Sequence, residues 1–257
     1  MPTKTNLIKS AVVIAALFST VLSTTSLALS TESEVIVELK STVKTSGLSS
    51  VANNAVNMTT SHVATHTAEK KADECKRELM AILAKIEFFS AEFSQQIFDE
   101  AGNKLQQGSG LLAVSKPNLV NWQTIIPDES LIVSDGKNLW FYDPFVEQVS
   151  VYTLESAIAN TPILLITSND EQLWQDYSVK QLTDNRYLIS ANNENARVKS
   201  LEISFAQKLN HLELAAFNIL DATGQLSVIT LTHQDKAPKA SLFTFTVPEG
   251  VYLDDQR

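Results

Sequence analysis

Residues 108–149 read GSGLLAVSKPNLVNWQTIIPDESLIVSDGKNLWFYDPFVEQV, and this stretch decides the fold. It has the pattern of a β-meander. Ser115-Lys116-Pro117-Asn118 makes a turn, because proline cannot donate to a central ladder and pushes its predecessor toward extended backbone. After it, Val120, Trp122, Thr124 and Ile126 alternate with Leu119, Asn121, Gln123 and Ile125, a period of two that places each set on one face of a strand. A hairpin follows, with arms Ser130–Ser134 and Lys137–Tyr142 around Asp135-Gly136. Asp-Gly between apolar runs is a strong hairpin signal, since glycine accepts positive φ. A two-residue loop there sets Ile132 opposite Leu139, Ser130 opposite Phe141 and Leu131 opposite Trp140.

Outward from this core, the pattern stays mostly β. Phe89–Phe98 alternates, Asp99–Asn103 turns, and Lys104–Ser115 returns as a strand whose Gly108 and Gly110 suggest a bulge or sharp bend. Beyond Pro144-Phe145 a strand carries Val149 and Val151, and Leu154–Ala159 reads as a short helix. Further strands are expected at Tyr177–Leu182, Tyr187–Ser190, Val198–Phe205, Leu212–Ile219, Gln225–Thr232 and Leu242–Val247. No βαβ rhythm appears and connections are short, so the sheet is antiparallel, and with about ten strands it should curl.

Two further segments read as helical. Ala72–Glu87 sets Cys75, Leu79, Ile82, Leu83 and Ile86 at helical spacing with charges elsewhere. In Asn160-Thr161-Pro162, threonine caps and proline takes the first position of a helix whose Ile163-Leu164-Leu165-Ile166 is apolar on every side. Such a turn is either buried in a core or inserted into an opening.

KPNLVNW (116–122), PDESLIVSDGKNLWFYDPFVEQ (127–148), NTPILLI (160–166) and FTFTVPEGVYLDDQR (243–257) occur in this order. They resemble the LolA family, the periplasmic outer-membrane lipoprotein carrier proteins. The resemblance implies an incomplete, half-open antiparallel β-barrel covered by short helices around a hydrophobic cavity. It implies a chaperone that binds the acyl chains of lipoproteins released from the inner membrane and delivers them to an outer-membrane receptor. The donor would be the inner-membrane ABC transporter LolCDE and the acceptor LolB, with the carrier a monomer. A periplasmic lipid- or lipoprotein-sensing protein on the same half-barrel is the alternative.

On this resemblance Val120, Trp122, Ile132, Leu139 and Phe141 line the acyl-chain cavity, and Leu83, Ile163, Leu164 and Ile166 belong to the lid. In the family an arginine before the Pro-Asn-Leu motif latches the lid to backbone carbonyls. Here that position is Lys116, with three donors on a flexible stem in place of a planar fork of five, which predicts a weaker latch or one made with fewer carbonyls. Val120 replaces an aromatic residue of the family pattern, whereas Trp122 matches it.

The ends and the charge set further bounds. Lys4 and Lys9 precede an apolar run from Ala11 to Leu22, then Ser26-Leu27-Ala28, the pattern of a cleaved secretory signal peptide over residues 1–28. That run falls short of the about 20 residues of a membrane span. Removing it takes away two lysines and leaves 18 basic against 29 acidic groups, a net of −11, where the whole chain has −9. Such a balance argues against nucleic acid and against electrostatic docking on anionic lipid. Residues 29–71, rich in Ser, Thr, Asn and Ala without sustained period, read as a flexible extension, leaving 72–257 as the carrier domain.

No catalytic constellation stands out: there is no G-x-S-x-G, Walker loop, G-x-G-x-x-G or C-x-x-C. No enzyme activity, cofactor or metal is expected. His62 and His66 lie in the extension, while His211 and His233 fall at turns or strand ends where exposure is the default. Cys75, the single cysteine, reads as a partly buried helix residue.

Overall fold

The computed structural model describes residues 57–158, 162–168, 170–209, 211–234 and 237–257, with side chains from residue 71 onward except at 162, 163 and 234. The segment assigned to a signal peptide, most of the extension, Thr161 at the helix cap, and the side chains of His62, His66 and Ile163 lie outside the described residues.

Helix α1 (Asn57–Ala84) starts well before Ala72, inside the stretch read as extension. Once a helix is nucleated, each added residue brings one hydrogen bond, so a weakly patterned segment can join a strongly patterned one. Six strands follow in a meander: β1 (Phe88–Phe98), β2 (Lys104–Ser115), β3 (Leu119–Ile126), β4 (Ser130–Asp135), β5 (Asn138–Asp143) and β6 (Gln148–Thr153). Helices α2 (Leu154–Ile158) and α3 (Pro162–Thr167) and a 3₁₀ turn at Glu171–Asp176 lead to a second meander. Its strands are β7 (Tyr177–Thr183), β8 (Arg186–Ala191), β9 (Val198–Lys208), β10 (His211–Asp221) and β11 (Leu226–Gln234). A 3₁₀ turn at Ala240–Phe243 and strand β12 (Tyr252–Asp255) complete the described elements.

All strands join one sheet, in the order β12-β6-β5-β4-β3-β2-β1-β11-β10-β9-β8-β7. Pairing is antiparallel throughout, except that β12 lies parallel to β6. The two edges do not pair with each other, so the barrel stays incomplete. The curl is visible in one contact. Strands β3 and β10 are four steps apart in the sheet, about 19 Å if it were flat. The rings of Trp122 and Phe217 nevertheless meet edge to face at 5.8 Å. Phe93, on β1 between them, stacks 4.7 Å from Trp122.

Gly110 explains part of that curl. The β2–β3 register shifts between Ser109 and Gly110, as the glycine pair suggested. A Cβ at Gly110 would sit 1.9 Å from the Gln123 carbonyl oxygen and 2.8 Å from Phe93 Cε1. Only a residue without a side chain allows strands and ring to approach so closely.

The central hairpin forms, with its register displaced by two residues. Ile132 faces Phe141, Ser134 faces Leu139 and Leu131 faces Tyr142. The turn is centred on Gly136-Lys137, with Gly136 at φ +87°, and the Asp135 carboxylate accepts from the backbone N–H of Lys137 and Asn138. That side chain draws the turn one residue forward. A slip of two preserves every side chain's face, because the pleat has period two.

Leu242–Val247 is not a strand. The 3₁₀ turn Ala240–Phe243 and the residues after it lie on the convex face, where Asn121 Nδ2 donates to the Leu242 carbonyl at 2.7 Å. Phe245 packs 5.5 Å from Trp140 and 6.1 Å from Tyr142, and the Arg257 guanidinium lies 5.6 Å from the Trp140 ring centroid. The chain thus straps the outside of the sheet before β12 covers the β6 edge.

Candidate functional site

The concave face is built row by row. Leu112, Trp122, Ile132 and Phe141 stand in register across β2, β3, β4 and β5, and Val114, Val120, Ser134 and Leu139 form the next row. Every one of these eight is buried. Val120, Trp122, Ile132, Leu139 and Phe141 were expected together on the concave face, and the structure brings all five into a single apolar cluster.

The same cluster takes in the two covering segments. From α1 come Cys75, Leu79 and Leu83, and from α3 come Leu164, Leu165 and Ile166. Leu164 and Leu165 are fully buried, as an element without a polar face requires. Ile163 lies on the α3 backbone, its side chain outside the described atoms. Phe217 and Leu231 also belong to this interior. Alternation marked their strands, and the curl that brings Phe217 against Trp122 could not be read from spacing.

Polar contacts at one end fix the cover. The Lys116 backbone N–H donates to the Glu87 carbonyl at 2.8 Å, and its Nζ donates to the Leu83 carbonyl at 2.7 Å. The acceptor lies in the last turn of α1 and also takes the Ile86 N–H at 3.0 Å, and a cation is favoured at that end of a helix. Burial pushes the Lys116 ammonium below its usual pKa. Two residues on, the Asn118 N–H donates to the Thr167 carbonyl of α3 at 3.2 Å, so one turn of the sheet holds both covering helices.

Among the described residues the interior is filled by its own side chains, the apolar residues of the concave rows and the core residues of both covering helices being buried in one cluster. At the opposite end of β2 and β3 lies a cavity of about 30 Å³, lined among others by Ile97, Gly108, Trp122, Thr124 and Ile132. That is room for about one water, where pockets for drug-sized ligands hold about 300–1,000 Å³. The apolar faces of α1 and α3 collapse onto the sheet, so the hydrophobic hollow is occupied in this conformation. An apolar guest enters only where the cover gives way.

His233 departs from the expected exposure. It is half-buried, 5.6 Å from the Phe89 ring centroid and 3.8 Å from Glu213, which also meets His211 at 3.0 Å. Cys75 is buried, more fully than the pattern suggested. Among the described residues no group of three or more His, Cys, Asp or Glu is placed to hold a metal ion, and no described helix is long and apolar enough to cross a membrane.

A single curled sheet whose apolar face is shut by two tethered helices defines a class of lid-covered scaffold. Within it, residues 84–246 match the family model for the outer membrane lipoprotein carrier protein LolA, and the chain belongs to that family. It is 43% identical over 177 residues to the outer-membrane lipoprotein carrier protein of Aeromonas salmonicida, covering 68% of this chain and 86% of that one. To the protein of the same name from Proteus mirabilis it is 43% identical over 185 residues, covering 72% and 90% respectively. Among solved structures, a LolA superfamily protein from Nitrosomonas europaea aligns with a TM-score of 0.43 at 12% identity, covering 68% of this chain and 98% of that one.

Proposed function

We propose that this chain is a periplasmic, non-enzymatic carrier that shields lipoprotein acyl chains between the inner and outer membranes. Family membership supports the cargo class. The observation that carries the mechanism is the tie from Lys116 to Leu83 over an apolar concave face. Residues 1–28 serve as the export signal, 29–71 as an extension and 72–257 as the carrier domain.

The physical task is severe. Each exposed CH₂ costs about 0.8 kcal/mol in water, so several acyl chains amount to tens of kcal/mol. The carrier replaces water with Val120, Trp122, Ile132, Leu139 and Phe141 and covers the guest with Leu83, Ile163, Leu164 and Ile166. Loading breaks the Lys116 tie and lifts the cover, while unloading restores both. Tie and packing therefore favour the empty state and assist release. A few kcal/mol of differential affinity suffices to move cargo from a LolCDE-type donor to a LolB-type acceptor, with no ATP used by the carrier.

The test is release of a radiolabelled lipoprotein from LolCDE proteoliposomes. Addition of the purified chain should give a water-soluble complex that passes its cargo to LolB. Failure to form that complex in the presence of active transporter would overturn the proposal.

A further inference from the structure

Lys116 acts close to the joint where α1 becomes β1, since its two bonds go to Leu83 and Glu87. A tie at that place restrains the outer turns of α1 weakly, because they move farthest when the helix swings. Lys76 lies seven residues before Leu83, about 10 Å farther along the helix axis, and its Nζ donates to the Trp174 carbonyl at 3.0 Å. Trp174 belongs to the 3₁₀ turn that follows α3 and is itself buried in the core. Half a turn on, the Glu78 carboxylate lies near the hydroxyl of Tyr187, a wholly buried residue of β8. Gln181 Nε2 donates to the same hydroxyl at 3.3 Å.

We propose that Lys76 and Glu78 form a second clasp, which joins the outer turns of α1 to the 3₁₀ turn and to β8 and gates entry to the concave face from the side away from Lys116. This rests on the carrier reading and adds to it the order of opening. The outer turns come away when the Lys76 bond and the Glu78 contact break, and the turn at Leu83 follows when Lys116 lets go. Chemistry favours the role. Each contact has a charged partner, the Lys76 bond being stronger than a neutral pair yet breakable where water can reach it, and Glu78 is exposed. Burial first, and then Glu78, pushes the Tyr187 hydroxyl up to about 12, so it remains a donor throughout the physiological range. Trp174 and Tyr187, the partners of Lys76 and Glu78, are not among the cargo-lining residues named above, and Lys76 and Glu78 are positioning residues.

The test uses the full exported chain in four forms: wild type, Lys76→Met, Lys76→Arg and Tyr187→Phe. Amide hydrogen exchange over residues 72–80 is read beside that of β1–β3, together with the entry rate of the apolar dye 1-N-phenylnaphthylamine. Lys76→Met and Tyr187→Phe should each raise exchange over 72–80 by about tenfold, the worth of one charge-assisted bond, and speed dye entry while the strands stay protected. Lys76→Arg should restore both. Wild-type exchange over 72–80 in both disrupted variants, or raised exchange with unchanged dye entry, overturns the clasp. A wild-type chain that takes no lipoprotein from the transporter overturns the carrier reading alone, because exchange reports the helix without cargo.

Discussion

The ammonium of Lys116 stands 2.7 Å from the Leu83 carbonyl oxygen, across the joint between the covering helix and the first strand. A side chain beside the sheet thereby sets its positive charge at the C-terminal end of the lid helix, on a carbonyl that also accepts the Ile86 N–H. Lys116→Leu removes the bond and the charge together, so the empty closed state loses part of its advantage over the loaded one. Loading should persist while handover to the acceptor slows severalfold, measured as lipoprotein transferred per minute. Lys116→Arg should act in the opposite sense, with weaker loading, because a planar fork engages more carbonyls. Wild-type handover by the leucine variant would remove Lys116 from the mechanism.

Trp122 meets Phe93 and Phe217 at once and is 3% exposed. Trp122→Ala should lower the free energy of unfolding by about 3–5 kcal/mol, the usual cost of deleting a large buried aromatic. Urea denaturation followed by far-ultraviolet circular dichroism measures it. A loss below about 1 kcal/mol would mean the site relaxes into the space, against the tight packing described.

Gly110→Ala places a methyl group against the Gln123 backbone oxygen at 1.9 Å. Backbone cannot yield as a side-chain tip can, so β2 and β3 must part. The variant should aggregate or melt well below the wild type, with the loss of protection centred on those two strands in hydrogen exchange. An unchanged melting temperature would show the bulge to be more pliant than its geometry indicates.

Burial lowers the pKa of His233 from the usual 6.5; Glu213 opposes that shift and Lys208 adds to it. His211 also faces this group through Glu213. The unfolded chain therefore takes up the His233 proton first as pH falls through about 6.5, and the folded state loses stability there. Melting temperatures between pH 7.5 and 5.5 should fall more for the wild type than for His233→Gln. Parallel curves would place no net stability change on this histidine.

Period-two alternation located nearly every strand of the sheet, because one buried face leaves a direct trace in the sequence. It misled at Leu242–Val247 for the same reason. Phe243 is buried there and its neighbours are not, so the segment alternates, yet it lies on the convex face without a ladder of its own. One-sided burial produces the pattern, with or without hydrogen-bonded neighbours. Strand β12 escaped notice because Tyr252-Leu253-Asp254-Asp255 is short and half acidic, and its pairing with β6 is made by backbone alone. The Asp135-Gly136 signal found the hairpin and missed its register, since spacing does not report the bonds that Asp135 makes to Lys137 and Asn138.

For the site, the five lining residues were legible as one face of three strands, and Lys116 was legible through its motif. The contact from Lys76 to Trp174 spans 98 residues, and no local rule connects a lysine to a distant carbonyl. Fullness of the interior was equally hidden. Residue type tells that a surface is greasy, while occupancy depends on how far α1 and α3 settle onto it.

The seam between β1 and β11 has a kinetic consequence. Each meander zips up from neighbours in the chain, but Phe93 must find Leu231 across the whole length between them. Distant pairings of this kind are formed late and set the pace of folding. If the chain is exported front end first, as proposed above, the first meander emerges long before its counterpart. The two halves can wait, each locally ordered, until the strand that knits them arrives.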